Sequence, residues 1–249
     1  MRFSRVPRTL FSLFGVLLFI DCGGDGRGPS NQAPALIVAL SGTGQTGSVG
    51  QLLAAPIVVK VTNSAGSAVS GIVVTFNVTA GGGSLAATTV TTNGQGTASV
   101  GWTVGQTVGT DIDTVTATIP GGISGSPVTF TASTAAGPAT QITLISGDRQ
   151  SAEVGHAVPQ PLIVEVKDQF GNFSVGRQVA WQITAGGGSV QSAASITDAQ
   201  GRASMAWTLG NPVVTGAQIV RAPIAPSGSH SLPPRLVTSA PCPIPPRNT

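Results

Sequence analysis

One stretch of this chain occurs twice. Shifted by 105 positions, Val49 to Gly105 superimposes on Val154 to Gly210 without a gap, and 22 of the 57 aligned residues are identical. Chance does not supply such a match, so the chain is built from a unit of about 100 residues that folds twice. The strongest matches are Thr79-Ala80-Gly81-Gly82-Gly83-Ser84 with Thr184-Ala185-Gly186-Gly187-Gly188-Ser189, and Trp102-Thr103 with Trp207-Thr208.

Within each copy apolar residues alternate with polar ones, the period of a strand with one buried face. Val59 and Val61 match Val164 and Val166, while Lys60 and Glu165 occupy the opposite face, which needs only to be wet. A second run places Val74, Phe76 and Val78 against Val179, Trp181 and Ile183. A longer third run presents Ala98, Val100, Trp102 and Val104 inward, matched by Ala203, Met205, Trp207 and Leu209. Glycines at 66, 71, 81–83, 94 and 96 punctuate these runs as tight turns. An opening strand (35–40 and 141–145), a weak one near 88–92 and closing runs at 113–119 and 128–132 complete the unit. The whole has 34 Gly, 18 Pro, 8% charged residues and no Tyr, a composition that suits short strands and turns. About seven short strands in about 100 residues predict an all-β fold: two tandem immunoglobulin-like β-sandwiches, over 34–133 and 138–238, joined by a short linker at 135–137. Copy two becomes irregular after about residue 222, where Pro223, Pro233 and Pro234 replace strand residues, so its closing strand is left open. Residues 239–249 read as a disordered tail.

The runs VKDQFGN at 166–172 and VAWQITAGGGSV at 179–190, TTNGQGTASVGWTVG at 91–105 and DTVTATIPG at 113–121 resemble the bacterial immunoglobulin-like domains of the invasin and intimin type, over most of 34–222. The resemblance implies a stacked, rod-like array of sandwiches at a bacterial surface. It does not imply adhesion, because the adhesins of that family carry an outer-membrane barrel before the array and a lectin-like cap after it, and neither is found in this sequence.

Residues 1–21 read as a signal peptide. Arg2, Arg5 and Arg8 precede the apolar run Leu10 to Ile20, which has the length of a signal-peptide core and is short for a bilayer span. Asp21-Cys22-Gly23-Gly24 then resembles a bacterial lipoprotein junction, which implies lipidation of Cys22, a flexible tether over 22–33 and a membrane anchor. The family pattern has an aliphatic residue three before the Cys and a small one directly before it; Phe19 and Asp21 stand there instead. The other reading is an ordinary secretory signal cleaved nearby. Without residues 1–21, nine Lys and Arg face eight Asp and Glu, so the net charge falls from +3 to +1. No basic face remains for nucleic acid. Cys22 and Cys242 do not make a disulfide framework, and an unpaired Cys242 in the tail is the plainer alternative to an intermolecular bridge.

Chemistry is sparse. Nucleophilic catalysis needs a base against a Ser, Thr or Cys, and the two histidines are His156, which matches Gln51 in the other copy, and His230 in the irregular end. Zinc spacings are absent. Asp111 and Asp113 are two carboxylates where calcium wants six or more oxygens, and they read as solvated turn residues. Asp168 and Asn172, beside Gly171, read as turn-stabilising side chains. The glycine triplets connect strands rather than opening a helix, so they are turns and not phosphate cradles. Trp102 and Trp207 would stack on sugar if exposed, but their phase places them in the core. No catalytic, metal or cofactor site is expected. The sequence points to a non-catalytic cell-envelope protein, a structural spacer or surface-interaction module, located at the outer membrane, periplasm or cell surface. The alternative is a binding module for envelope polysaccharide or another extracellular ligand; the protein or glycan partner stays unidentified.

Overall fold

Alternation in the sequence becomes two-layered sheet in the computed structural model, which describes residues 33–210, 219–222 and 235–238. The signal segment 1–21, Cys22 with nearly all of the tether, His230, Cys242 and the tail 239–249 lie outside the described residues. No helix occurs among the described residues; the fold class is all-β.

The first sandwich comprises β1 (Leu36–Ser41), β2 (Gln45–Ser48), β3 (Ile57–Thr62), β4 (Val73–Ala80), β5 (Ser84–Leu85), β6 (Thr89–Thr91), β7 (Thr97–Val100), β8 (Trp102–Thr103), β9 (Gly109–Thr118) and β10 (Val128–Ala135). Strands β1-β3-β7 form one sheet and β2-β10-β9-β4-β6 the other, with β5 and β8 as a separate pair. The opening segment serves both sheets: β1 pairs antiparallel with β3, then β2 runs parallel to β10. This register puts Val59 beside Ala98 and Phe76 beside Ala117, all facing inward. Ile37, Val59, Val61, Val74, Phe76, Trp102, Val115 and Phe130 are completely buried there. The inward phase expected from 98 to 104 holds, but the strand breaks at Gly101, so β7 ladders onto β3 and β8 onto β5.

The second sandwich comprises β11 (Ala139–Ser146), β12 (Leu162–Asp168), β13 (Gln178–Ala180), β14 (Gln182–Ala185), β15 (Gly188–Val190), β16 (Ala194–Ile196), β17 (Arg202–Met205), β18 (Trp207–Leu209), β19 (Ile219–Ala222) and β20 (Arg235–Thr238). Its sheets are β11-β12-β17 and β14-β19-β20, with β13-β16 and β15-β18 as pairs. A separate core gathers Leu162, Val164, Val166, Val179, Trp181, Trp207 and Val220. The closing strand left open by the prolines does form: β20 pairs antiparallel with β19, Ile219 opposite Thr238 and Ala222 opposite Arg235. Pro223, Pro233 and Pro234 lie in the sequence between the two strands, outside the described residues.

One polar position differs from the sequence expectation, and two threonines of the repeat are buried with satisfied hydroxyls. Glu165 is covered rather than wet: its side chain is 12% exposed, with Lys167 Nζ at 2.6 Å and Arg202 Nε at 3.7 Å. Thr92 and Thr197, identical in the repeat, are buried. Thr92 Oγ1 donates to the Val69 carbonyl and accepts from Ile72 N–H. Thr197 does the same with Ser174 and Arg177. Each stitches the loop that leads from one sheet to the other.

Candidate functional site

Four turns among the described residues share one construction. Asn63, Asn93, Asp168 and Asp198 each use Oδ1 to accept N–H groups two and four residues on, and a glycine of positive φ follows at the third place. A side chain that accepts from its own loop replaces a backbone turn. Asp168 and Asn172 therefore stabilise a turn, as their spacing predicts.

They also do something the spacing did not reveal. The second carboxylate oxygen of Asp168 accepts the N–H of Gly137 at 3.0 Å, which ties the connection between β10 and β11 to the second sandwich. Asn172 Nδ2 donates to the carbonyl of Gln106 at 2.8 Å, and Val108 N–H donates to Asn172 Oδ1 at 3.4 Å, so this amide grips the loop between β8 and β9 of the first sandwich. Between them Phe170 lies over Gly50: a Cβ at residue 50 would come 2.8 Å from the end of the ring. One loop of the second sandwich, 168–172, thus docks on the end of the first. The counterpart loop in copy one, Asn63-Ser64-Ala65-Gly66-Ser67, has the same turn but neither the ring nor the amide. That difference between copies is the signal by which a comparison of the repeats could have found the junction.

Beside Phe170 the junction leaves a cleft of about 480 Å³, lined by the 81–83 glycines, Ser84, Thr103 and Gln106 among others. The triplet is there for more than turning. Gly83 passes against the backbone of Thr103 and Val104, and Gly81 against Asp113, so side chains at those two positions would strike other parts of the chain.

Asp113 requires a correction. It is not a solvated turn residue but a completely buried member of β9, because Gly81 and Gly105 close over it. Its Oδ1 accepts Gly105 N–H at 3.0 Å, and Oδ2 has no hydrogen-bond partner among the described residues. Burial pushes its pKa above the ordinary value, and the Gly105 hydrogen bond only partly opposes this. Asp168 goes the other way. Burial would raise it too, but the hydrogen bonds from Asn172, Gly137 and Phe170 outweigh burial and hold it below the ordinary carboxylate range. Asp113 supports Gly105 in the loop that Asn172 grips, so both buried carboxylates sit at this junction.

The remaining candidates do not converge. Asp111, at φ 50°, is exposed and exchanges hydrogen bonds with the Ser133 hydroxyl, separate from Asp113. His156 is exposed, with Nδ1 3.2 Å from its neighbour's carbonyl at Val154 and 3.9 Å from Glu153. Trp102, Trp181 and Trp207 are all buried, so none presents a face for a sugar ring. Among the described residues no group of three or more His, Cys, Asp or Glu is placed to hold a metal.

No family model matches the sequence, and no curated protein matches it. Among solved structures the chain is similar to the D0-D1 domain of intimin, at 18% identity and a TM-score of 0.33, over 83% of this chain and 98% of that one. It is similar to the D00-D0 domain of intimin at 16% identity and a TM-score of 0.44, over 82% and 100%. Fibronectin(III)-like modules of Clostridium thermocellum CbhA follow at 12% identity and a TM-score of 0.26, over 83% and 94%. These likenesses are loose, and the all-β, two-layered architecture rests on the strands and cores of the chain itself.

Proposed function

We propose that this is a non-catalytic cell-envelope protein whose two sandwiches act as a stiff spacer or surface-interaction module, exported and held to a membrane through lipid on Cys22. The supporting observation is the docked loop: Gly137, Gln106 and Val108 are bonded to Asp168 and Asn172 across the junction, and Phe170 covers Gly50. A short connection would otherwise let two modules swing, since small inter-domain contacts leave relative motion as the default. Three hydrogen bonds and a ring at the hinge oppose that swing. The domain limits of the reading are 34–133 and 138–238. Membrane attachment follows from two acyl chains, which anchor stably where one is marginal.

Small-angle scattering on the full chain tests the spacer. Phe170→Ala with Asn172→Ser installs the residues that copy one carries, and the expected result is a broadened end-to-end distribution with both cores intact. An unchanged distribution sinks the reading. Mass spectrometry of the protein from its native host tests the anchor: a mature chain that begins elsewhere, or an unmodified Cys22, refutes it. The cleft at the junction, with Ser84, Thr103 and Gln106 beside Phe170, favours a second reading as a polysaccharide-binding module, for which a glycan array is the direct test.

A further inference from the structure

The cleft at the junction is composite. The first sandwich builds its wall from Gly50, the glycines 81–83 and Ser84, and its rim from Gln106 and Thr107, while its one aromatic ring, Phe170, comes from the second sandwich. That ring rests on Gly50, yet the residue stays 36% exposed, so packing covers only part of it. The rim is held by its backbone. Gln106 gives its carbonyl to Asn172 Nδ2, and Thr107 gives its carbonyl to Thr134 Oγ1 at 2.6 Å, which leaves the exposed Gln106 amide and Thr107 hydroxyl unspent by these bonds. Among the described residues lining the cleft no side chain carries a charge, and Asp113, behind Gly81, is completely buried.

Those properties select a ligand. A volume of about 480 Å³ lies in the range of small-molecule sites. A partly exposed ring suits a flat apolar face, and an amide with hydroxyls suits a neighbour that both donates and accepts. An anionic ligand would find no cation here to pair with. A peptide would want a free strand edge or several apolar sockets, whereas this wall is glycine backbone beside a single ring. A neutral pyranose meets every condition, because its C–H face packs on a ring while the hydroxyls around its edge donate and accept.

We infer that the junction cleft is a binding site for a short stretch of neutral glycan, stacked on Phe170 and hydrogen-bonded by Gln106, Thr107 and Ser84. The inference rests on the polysaccharide reading above and deepens it, giving the glycan a place on the chain and a charge class. Since ring and wall belong to different sandwiches, the ligand takes only the docked arrangement, and by linkage its binding favours docking.

Nuclear magnetic resonance on the ¹⁵N-labelled full chain, titrated with cellohexaose, maltohexaose and chitohexaose, reads weak contacts residue by residue. At least one of these neutral probes is expected to shift the Gly82, Gly83, Gln106, Thr107 and Phe170 amides to saturation. Hexagalacturonate, equally long but anionic, should bind at least about tenfold more weakly. Phe170→Leu keeps an apolar side chain over Gly50 but removes the flat face, and should weaken binding at least about tenfold. Gly82→Asn acts from the first sandwich instead. Asparagine tolerates the left-handed backbone at φ 83°, and a Cβ there meets nothing within 4 Å among the described residues, so the side chain fills the cleft without touching the junction bonds and the shifts should be lost. No saturable shift at the cleft with any neutral probe overturns the inference, as does binding that either variant leaves unchanged, or an equal response to hexagalacturonate. The two readings fail separately: a glycan-array signal that persists in Gly82→Asn overturns this site alone, whereas an array without signal defeats the polysaccharide reading as well.

Discussion

Gly82 and Gly83 differ in φ by only a few degrees, 83° and 86°, yet their surroundings have nothing in common. A Cβ on Gly82 meets nothing within 4 Å among the described residues, whereas on Gly83 it runs into the carbonyl of Thr103 and the backbone of Val104 and Gly105. Alanine at either site carries about 1 to 2 kcal/mol of left-handed strain, offset by about 0.4 to 1 kcal/mol from the stiffer unfolded chain. These terms cancel in the comparison. Gly83→Ala alone must also push β5 away from β8, and forcing extra volume into packed structure costs about 1 to 3 kcal/mol. Gly82→Ala is therefore expected to cost under about 1.5 kcal/mol, and Gly83→Ala about 1 to 3 kcal/mol more. Native-state hydrogen exchange separates the sandwiches, because the slowest amides of β3 report opening of the first and those of β12 serve as an internal standard. The difference between the variants then appears as roughly 5- to 150-fold in the protection of β3. Equal protection in the two would refute the claim that close approach, rather than turn conformation, demands glycine at 83.

Two further predictions use the cores and the buried acids. Trp102 is completely buried, so Trp102→Ala should cost about 3 to 5 kcal/mol and lower the melting temperature of the first sandwich by at least about 10 °C; a melt within a couple of degrees of wild type would show the inward phase to be wrong. The two acids oppose each other in pH. Asp113, raised by burial, adds no penalty below its unfolded value of 3.8 and a full one above its folded pKa, so Asp113→Asn should remove a loss of stability that sets in as pH rises from 3.8. Asp168, depressed, stabilises above 3.8 and loses that contribution as pH falls through its lower folded pKa, so Asp168→Asn should remove part of the acid sensitivity. Denaturation midpoints across pH for both variants and wild type check the two signs; matching slopes in all three proteins would refute the assignment.

Periodicity is a local property, and what depended on it was legible in the residues alone. Side-chain alternation told which of Val59, Lys60 and Val61 faced the core, and the repeat told that the arrangement occurs twice, because a strand with one buried face must show period two. The turn made by Asp168 and Asn172 was equally local. Asp113 was misread because its burial is imposed by Gly81 and Gly105, residues that reach it only after β4, β8 and β9 have come together. The closing strand β20 was obscured for a related reason: the prolines count against a strand only if they fall inside the ladder, and pairing with β19 decides where the ladder begins. The junction belongs entirely to tertiary structure. No spacing within 168–172 shows that Asn172 meets Gln106, 66 residues earlier in the chain, or that Phe170 needs a glycine at residue 50. Sequence determined the unit and its repetition, since hydrophobic alternation is written residue by residue. Where one unit's loop meets the other unit's end was decided by folding, since such a contact exists only between surfaces that are each already built.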